Sequence, residues 1–241
     1  MDEITFHSRT HRPGIILDVG AHDGLLTLPF AGLPGARVMA FEPLPSAHAR
    51  LAAACAGLPN VELRREALGA APGRLMLSVP VVDGMPAEQW ASLAKDYGTF
   101  ASVTTEAHPV EVITIDSLGL SDVTHMKVDA EGFEQEVLEG ARATLRRCRP
   151  VLSLELEERH REGATRDVPA LLAALGYETR FWLDGAMRPL AAFDPATMQV
   201  ASPDPAVFGA SDPYVFTFYA WPAERAAEIA AALATAGGGA G

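Results

Sequence analysis

The chain has 241 residues, 49% of them hydrophobic, and a formal net charge of -12. That length fits one α/β domain with a full core, and an acidic balance with no basic cluster on a candidate face argues against RNA, DNA or another polyanion as partner. No apolar run reaches the ~18 residues of a membrane span, the N-terminus lacks the layout of a signal peptide, and Cys55 and Cys148 have no metal-ligand spacing, so a cytoplasmic protein with two reduced cysteines is expected.

Residues 1–14 are polar and read as an irregular N-terminal extension. Strand and helix signals then alternate. The apolar run Ile15–Leu17 opens a strand over 15–19 that reaches acidic Asp18, and Gly20 and Gly24 follow as Gly-x-x-x-Gly. A helix over 24–32 leads to a strand over 37–42 ending in Glu42. A helix over 45–56 opens at Pro45-Ser46, and the next strand covers 61–65. Residues 74–79 and 110–115 are strand-like. Between them, 83–108 carries Trp90, Tyr97 and Phe100 among polar and small residues and reads as an inserted lid rather than another layer of sheet.

His125–Asp129 reads as a strand and Glu134–Arg147 as one helix, with Val137, Leu138, Ala141 and Leu145 recurring every three or four residues. Val151–Leu156 is the next strand, Val168–Leu175 a helix capped by Gly176, and Glu178–Leu183 a strand. A Pro-rich insert, 184–213, precedes a last strand, Tyr214–Tyr219. Within the tail 223–241, residues 224–236 read as a frayed helix and 237–241 as flexible. The alternation implies a single domain over 15–222 with a mostly parallel sheet covered on both faces. The two late strands have no helix between them and fit an antiparallel pair at one edge.

Strand, glycine turn, helix, strand, acid is a way to hold a nucleoside. Glycines let backbone approach the ligand, and the second acid accepts from ribose hydroxyls. Here the first acid precedes the glycines and Gly-x-Gly-x-x-Gly is absent. That favours S-adenosylmethionine, whose cationic amino-acid end needs a carboxylate, over a nicotinamide dinucleotide. Asp18 reads as a contact to that end, with a turn cap as the bland alternative. Glu42, followed by Pro43, reads as the ribose acid. Glu66, Ala67 and Leu68 lie past the third strand, where adenine is expected, and read equally as an ordinary loop.

Several segments together resemble the FkbM family of S-adenosylmethionine-dependent methyltransferases. They are Ile16–Thr27, Ala40–Pro43, Glu66–Gly69, Thr114–Leu118, Met126–Glu134 with its Lys-Val-Asp-Ala-Glu-Gly-Phe-Glu run, Val137–Ala141, and Arg149-Pro150 before the strand that holds Glu155. Family members usually carry Asn where His22 stands. The resemblance implies a class I methyltransferase (Rossmann-like) fold, an α/β architecture with a mostly parallel seven-stranded sheet, an antiparallel edge strand and helices on both faces. It implies S-adenosyl-L-methionine as cofactor and O-methylation of a small acceptor, often a sugar or secondary metabolite such as a macrolide. His22 and Thr27 fall within its cofactor segment.

A hydroxyl nucleophile must lose its proton, which calls for a base. Asp129, His160 and Glu155 are the candidates, and Asp129 also borders the cofactor. His160 reads equally as a solvated loop histidine, the preferred reading. Lys127 shares a strand face with Asp129, and its expected partner is Glu155 on the neighbouring strand. Glu131, Glu155, Trp90 and Tyr97 are candidate acceptor contacts, the aromatics reading also as a small core under the lid. Asp129, Glu131 and Glu155 offer hard oxygen donors to Mg²⁺, though a metal-free site is preferred. An amine acceptor, a nicotinamide oxidoreductase and a non-catalytic binding protein are the rival readings.

Overall fold

A computed structural model describes residues 1–95, 97–100, 103–202, 204 and 209–234. The expected flexible stretch 237–241 lies outside the described residues.

The first element corrects the sequence reading. Residues Glu3–Thr10 form a helix, α1, capped by Asp2, whose carboxylate accepts from the Thr5 amide at 2.7 Å. Its buried residues, Phe6, His7 and Thr10, include a single apolar side chain, so periodicity is silent here. β1 (Gly14–Val19) is buried over nearly its whole length. It leads through the glycine turn to α2 (Thr27–Ala31), β2 (Ala36–Phe41), α3 (Pro45–Ala54) and β3 (Val61–Arg64).

The segment read as a lid, 83–108, is strand only near its two ends, and between them the described residues include two short 3-10 helices, Glu88–Trp90 and Tyr97–Thr99. After β4 (Ala67–Leu68), β5 (Gly73–Val82) and β7 (Thr104–Ile113) form a long antiparallel pair, with short β6 (Met85–Pro86) beside β5. The order of this second sheet is β4-β7-β5-β6. Leu77, Val79, Val110 and Val112 pack it onto Leu44 and Ala47, at the start of α3.

β8 (Val123–Val128) follows, and then the predicted long helix splits into α4 (Glu134–Glu139) and α5 (Arg142–Cys148). A Cβ on Gly140 would sit 2.0 Å from the Gly69 carbonyl oxygen, so only glycine lets the two backbones meet there. Asp116 stabilises the restart, its carboxylate accepting from the Ala143 and Thr144 amides at 2.9 and 2.8 Å. β9 (Val151–Glu155), α6 (Ala164–Ala174), β10 (Tyr177–Leu183), β11 (Ala186–Pro189), short α7 (Pro195–Met198), β12 (Thr217–Pro222) and α8 (Ala226–Ala234) complete the described order.

The main sheet has eight strands in the order β11-β10-β12-β9-β8-β1-β2-β3, one more than expected. β9, β8, β1, β2 and β3 run parallel. β12 inserts between β9 and β10 antiparallel to both, and β11 closes that edge as the antiparallel partner of β10. Helices cover both faces. Leu17 and Val19 join the larger core with α4, α5 and α6, whereas Ile16 packs with Phe30 and Leu51 of α2 and α3. That alternation puts Asp18 on the α2–α3 face. Register aligns Asp18 with Lys127 and Lys127 with Ser153, a polar row across the central strands. Docked beside that row, α1 packs Phe6 against Tyr219, Trp221 and Ile229. Among the described residues no helix is long and apolar enough to cross a membrane.

Candidate active site

A cavity of about 580 Å³ opens at the carboxyl ends of β1, β2, β8 and β9, a volume ordinary for a small-molecule site. Among the described residues eight carboxyl groups line it against one lysine, Lys127, a wall suited to a cationic ligand.

Asp18 lies fully buried at the end of β1. Thr27 Oγ1 donates to its Oδ2 at 2.5 Å, while Oδ1 has no hydrogen-bond partner and Lys127 Nζ lies 3.8 Å away. Burial pushes the Asp18 carboxyl up, against the pull of Lys127 and Thr27. A buried acceptor with an unused lone pair at a cavity wall fits the ammonium end of S-adenosylmethionine. Gly20 has φ 75°, and a Cβ there would stand 1.9 Å from the Asp129 carbonyl oxygen, so the turns after β1 and β8 touch at this glycine. At the end of β2, Glu42 accepts from the His22 amide with Oε2 and from the Leu44 amide with Oε1, both at 2.8 Å. Each oxygen keeps a lone pair for a ribose hydroxyl. Burial pushes Glu42 up to about 7. His22 itself adopts φ 47°, the conformation that aims its amide at Glu42.

Pro43, Ala67 and Leu68 also line the cavity. Three cofactor candidates do not. Gly24 sits behind the wall, where a Cβ would meet Leu51 at 2.9 Å, and Thr27 acts through Asp18. Glu66 turns to Arg64, 2.6 Å away, which holds its carboxyl below the usual range.

Lys127 does not pair with Glu155. Strand register sets Ser153 opposite it, and its Nζ donates to the Gly20 carbonyl at 2.5 Å and lies 3.3 Å from Asp129 Oδ2. Asp129 and Asp18 hold Lys127 protonated although burial opposes the charge. Lysine thus ties the β1 turn to the β8 turn and orients Asp129.

Beyond Asp129 the chain bends through Glu131 at φ 52° and Gly132 at φ 99°. Glu134, buried at the start of α4, holds that bend by accepting from the Ala130 and Gly132 amides at 2.8 and 3.0 Å. Burial pushes Glu134 up to about 7. Sequence reasoning passed over Glu134, although an acid closing Glu-Gly-Phe-Glu before a helix is a loop-holding signal. Glu131 and Glu155 both line the cavity. Burial, then neighbouring carboxylates, raise both well above the usual range.

His160 is buried rather than solvated and stands behind Glu131, outside the cavity lining. Its Nδ1 is 3.1 Å from Glu131 Oε2 and its Nε2 3.4 Å from Glu157 Oε1. Burial and Lys95 pull the imidazole down to about 3, so it is too weak a base for proton abstraction near neutral pH. The oxygen-donor group, the less favoured alternative, is not the one assembled. Glu131, Glu155 and His160 come together, while Asp129 is engaged by Lys127.

Tyr97 is buried and donates its hydroxyl to the Trp90 carbonyl, and neither ring lines the cavity. Both lie in the segment between β6 and β7, which supplies Glu88, Gln89, Ala91 and Leu93 to the wall instead. Ser92 anchors this stretch by donating to the Glu131 carbonyl at 2.6 Å. Glu3 is a cavity residue without a sequence signal. It reaches in from α1 and accepts from Ser153 Oγ at 2.5 Å, and Ser153 Oγ lies 2.9 Å from His7 Nε2.

Residues 18–179 match the methyltransferase FkbM domain. Among solved structures, the chain is similar to methyltransferase FkbM from Methylobacillus flagellatus KT, with 16% identity, a TM-score of 0.54 and coverage of 87% of this chain. It spans 44% of that protein's length. A putative methyltransferase from Streptococcus mutans in complex with SAH aligns over 90% of this chain and 94% of its own, at 10% identity and a TM-score of 0.50. A putative rRNA methylase from Clostridium thermocellum aligns over 91% and 93%, at 9% identity and a TM-score of 0.50. At these identities the likenesses establish the fold alone. Among curated proteins none matches the sequence.

Proposed function

Because this chain belongs to the methyltransferase FkbM family, we propose that it is an S-adenosylmethionine-dependent O-methyltransferase acting on a hydroxyl of a small or medium-sized acceptor. A sugar or another secondary metabolite is the preferred acceptor class. The observation that carries this reading is one cavity lined both by Asp18 and Glu42, assigned here to the cofactor, and by Asp129, Glu131 and Glu155, assigned to the acceptor.

Bound S-adenosylmethionine supplies an electrophilic methyl group on a sulfonium. The chain's own work is to hold and deprotonate. Asp18 Oδ1 takes the ammonium, Glu42 the ribose hydroxyls, and Pro43, Ala67 and Leu68 the apolar face of the adenine. Asp129 accepts the acceptor's hydroxyl proton. Lys127 fixes its Oδ2, which leaves Oδ1 as acceptor. Glu131 and Glu155 are driven toward their protonated forms and are poorer acceptors than Asp129. Ala91, Leu93 and Phe133 give the cavity an apolar part beside its carboxylates. The acidic wall disfavours phosphorylated polymers, and two free cysteines suit action in the cytoplasm.

The same excess of carboxylates favours a second reading, a cationic amine acceptor. Calorimetric titration with S-adenosylhomocysteine, with NAD as control, comes first. Incubation with ¹³C-methyl-labelled S-adenosylmethionine and panels of alcohols and amines follows. A new O-methyl resonance supports the first reading and an N-methyl resonance the second. Preferential NAD binding would overturn both.

A further inference from the structure

Glu131, Glu155 and His160 reach one point from three segments: the bend after β8, the end of β9 and the turn before α6. One ligand atom from each lies within 4.8 Å of the others. The His160 side chain is 2% exposed and turns Nδ1 toward Glu131 and Nε2 toward Glu157, 3.4 Å away, and among the described residues Nε2 has no hydrogen-bond partner. Glu131 Oε2 has none either, although His160 Nδ1 stands 3.1 Å away. Nitrogen and oxygen therefore face each other at contact distance without a hydrogen bond between them. A gap of about 3 Å is what two neighbouring ligands of one cation show when each sits ~2.1 Å from it at a right angle. Lys95 Nζ, 3.8 Å from the same oxygen, is too distant to satisfy it.

We propose that Glu131, Glu155 and His160 bind a divalent transition-metal cation at the cavity wall. One imidazole beside two carboxylates suits ions of the Mn²⁺, Fe²⁺ and Zn²⁺ class better than Mg²⁺ or Ca²⁺, which prefer oxygen throughout. Glu131 and Glu155 line the cavity and His160 stands behind, so the remaining coordination positions open toward the acceptor. An acceptor with two adjacent oxygens, a diol or a hydroxy-carbonyl group, fills such positions. That role rests on the proposed function, whereas the cation site itself does not.

The test is titration of the chelator-treated full chain with Mn²⁺, read as loss of the free-ion electron-paramagnetic signal, with Mg²⁺ in parallel. Wild-type protein is compared with Glu131→Gln, Glu155→Gln and His160→Gln, each first checked for its fold by circular-dichroism melting, with S-adenosylhomocysteine binding measured separately. One Mn²⁺ per chain is expected, bound at least about tenfold more weakly by each variant. No Mn²⁺ bound by folded wild-type protein overturns the proposal, as does binding indifferent to His160→Gln and Glu155→Gln. Should one variant lose its fold, the other two decide. Mn²⁺ binding without S-adenosylhomocysteine binding by the wild type would refute the methyltransferase reading and leave the cation site standing.

Discussion

Glu42, proposed above to hold the ribose, gives the sharpest test of that assignment, because it is buried and both its oxygens already take backbone amides. Burial lifts its carboxyl to about 7 in the free protein. Ribose hydroxyls donate to the ionised form, so binding requires the proton to leave. Between pH 8 and pH 6 the ionised fraction of a group titrating near 7 falls by about tenfold, and S-adenosylhomocysteine affinity falls with it. Glu42→Gln removes that titration and the charge-assisted character of the bonds, weakening affinity at pH 8 by ~1–3 kcal/mol, or about 5- to 150-fold. The amide keeps one acceptor oxygen, so one of the two amide donors, His22 or Leu44, stays bonded and the turn holds. Calorimetry from pH 5.5 to 8.5 measures both effects, and circular-dichroism melting checks the fold. Asp18 and Glu3 also face the cavity with raised carboxyls, so a residual slope is expected in the variant. If Glu42→Gln binds as tightly as wild type, or keeps the full pH slope, the ribose assignment is wrong.

Asp129→Asn should leave S-adenosylhomocysteine affinity within a few-fold and lower kcat by ~100-fold or more, in the range of a lost general base. Surviving turnover would remove Asp129 from the chemistry. Gly20→Ala should abolish measurable cofactor binding and lower Tm, since its Cβ would collide with the Asp129 carbonyl and its φ is positive. A normal melting curve with normal binding would contradict that contact. Glu134 titrates near 7 when folded and near 4.5 when unfolded, so between those values the folded state holds the extra proton and stability falls as pH rises. Glu134→Gln keeps an acceptor for the loop amides and should stabilise the protein at pH 8 by roughly 1–3 kcal/mol, with little change at pH 4.5. Denaturant melts at the two pH values test the sign, and equal shifts at both would contradict it.

Most of the sheet was legible because β1, β2, β8 and β9 are short apolar runs between turn signals. Asp18 and Glu42 were legible because an acid at the end of such a run stands at the ligand crevice. What escaped depends on contacts distant in sequence. α1 carries one apolar anchor, Phe6, whose partners Tyr219 and Trp221 lie some two hundred residues away. The break at Gly140 exists because Gly69 presses on it, which a heptad-like pattern cannot register. His160 was misplaced because its burial depends on Gly132 meeting its backbone, where a Cβ would come within 2.9 Å of the His160 carbonyl. The Lys127 partner was misjudged by one residue pair, since only register separates Ser153 from Glu155 as the opposite residue.

Glu3 connects the cavity to the order in which the polypeptide is made. The helix that carries it is synthesised some two hundred residues before Tyr219, Trp221 and Ile229, which form much of its docking surface. Until β12 has inserted between β9 and β10, α1 lacks the aromatic part of its docking surface and is held in place less firmly. A ligand that recognises the finished cavity therefore favours chains whose late strand is in place, and its binding energy weighs on that final closure. Cofactor in the cell would act as a folding aid for this protein, holding newly made chains in the state that degradation machinery passes over.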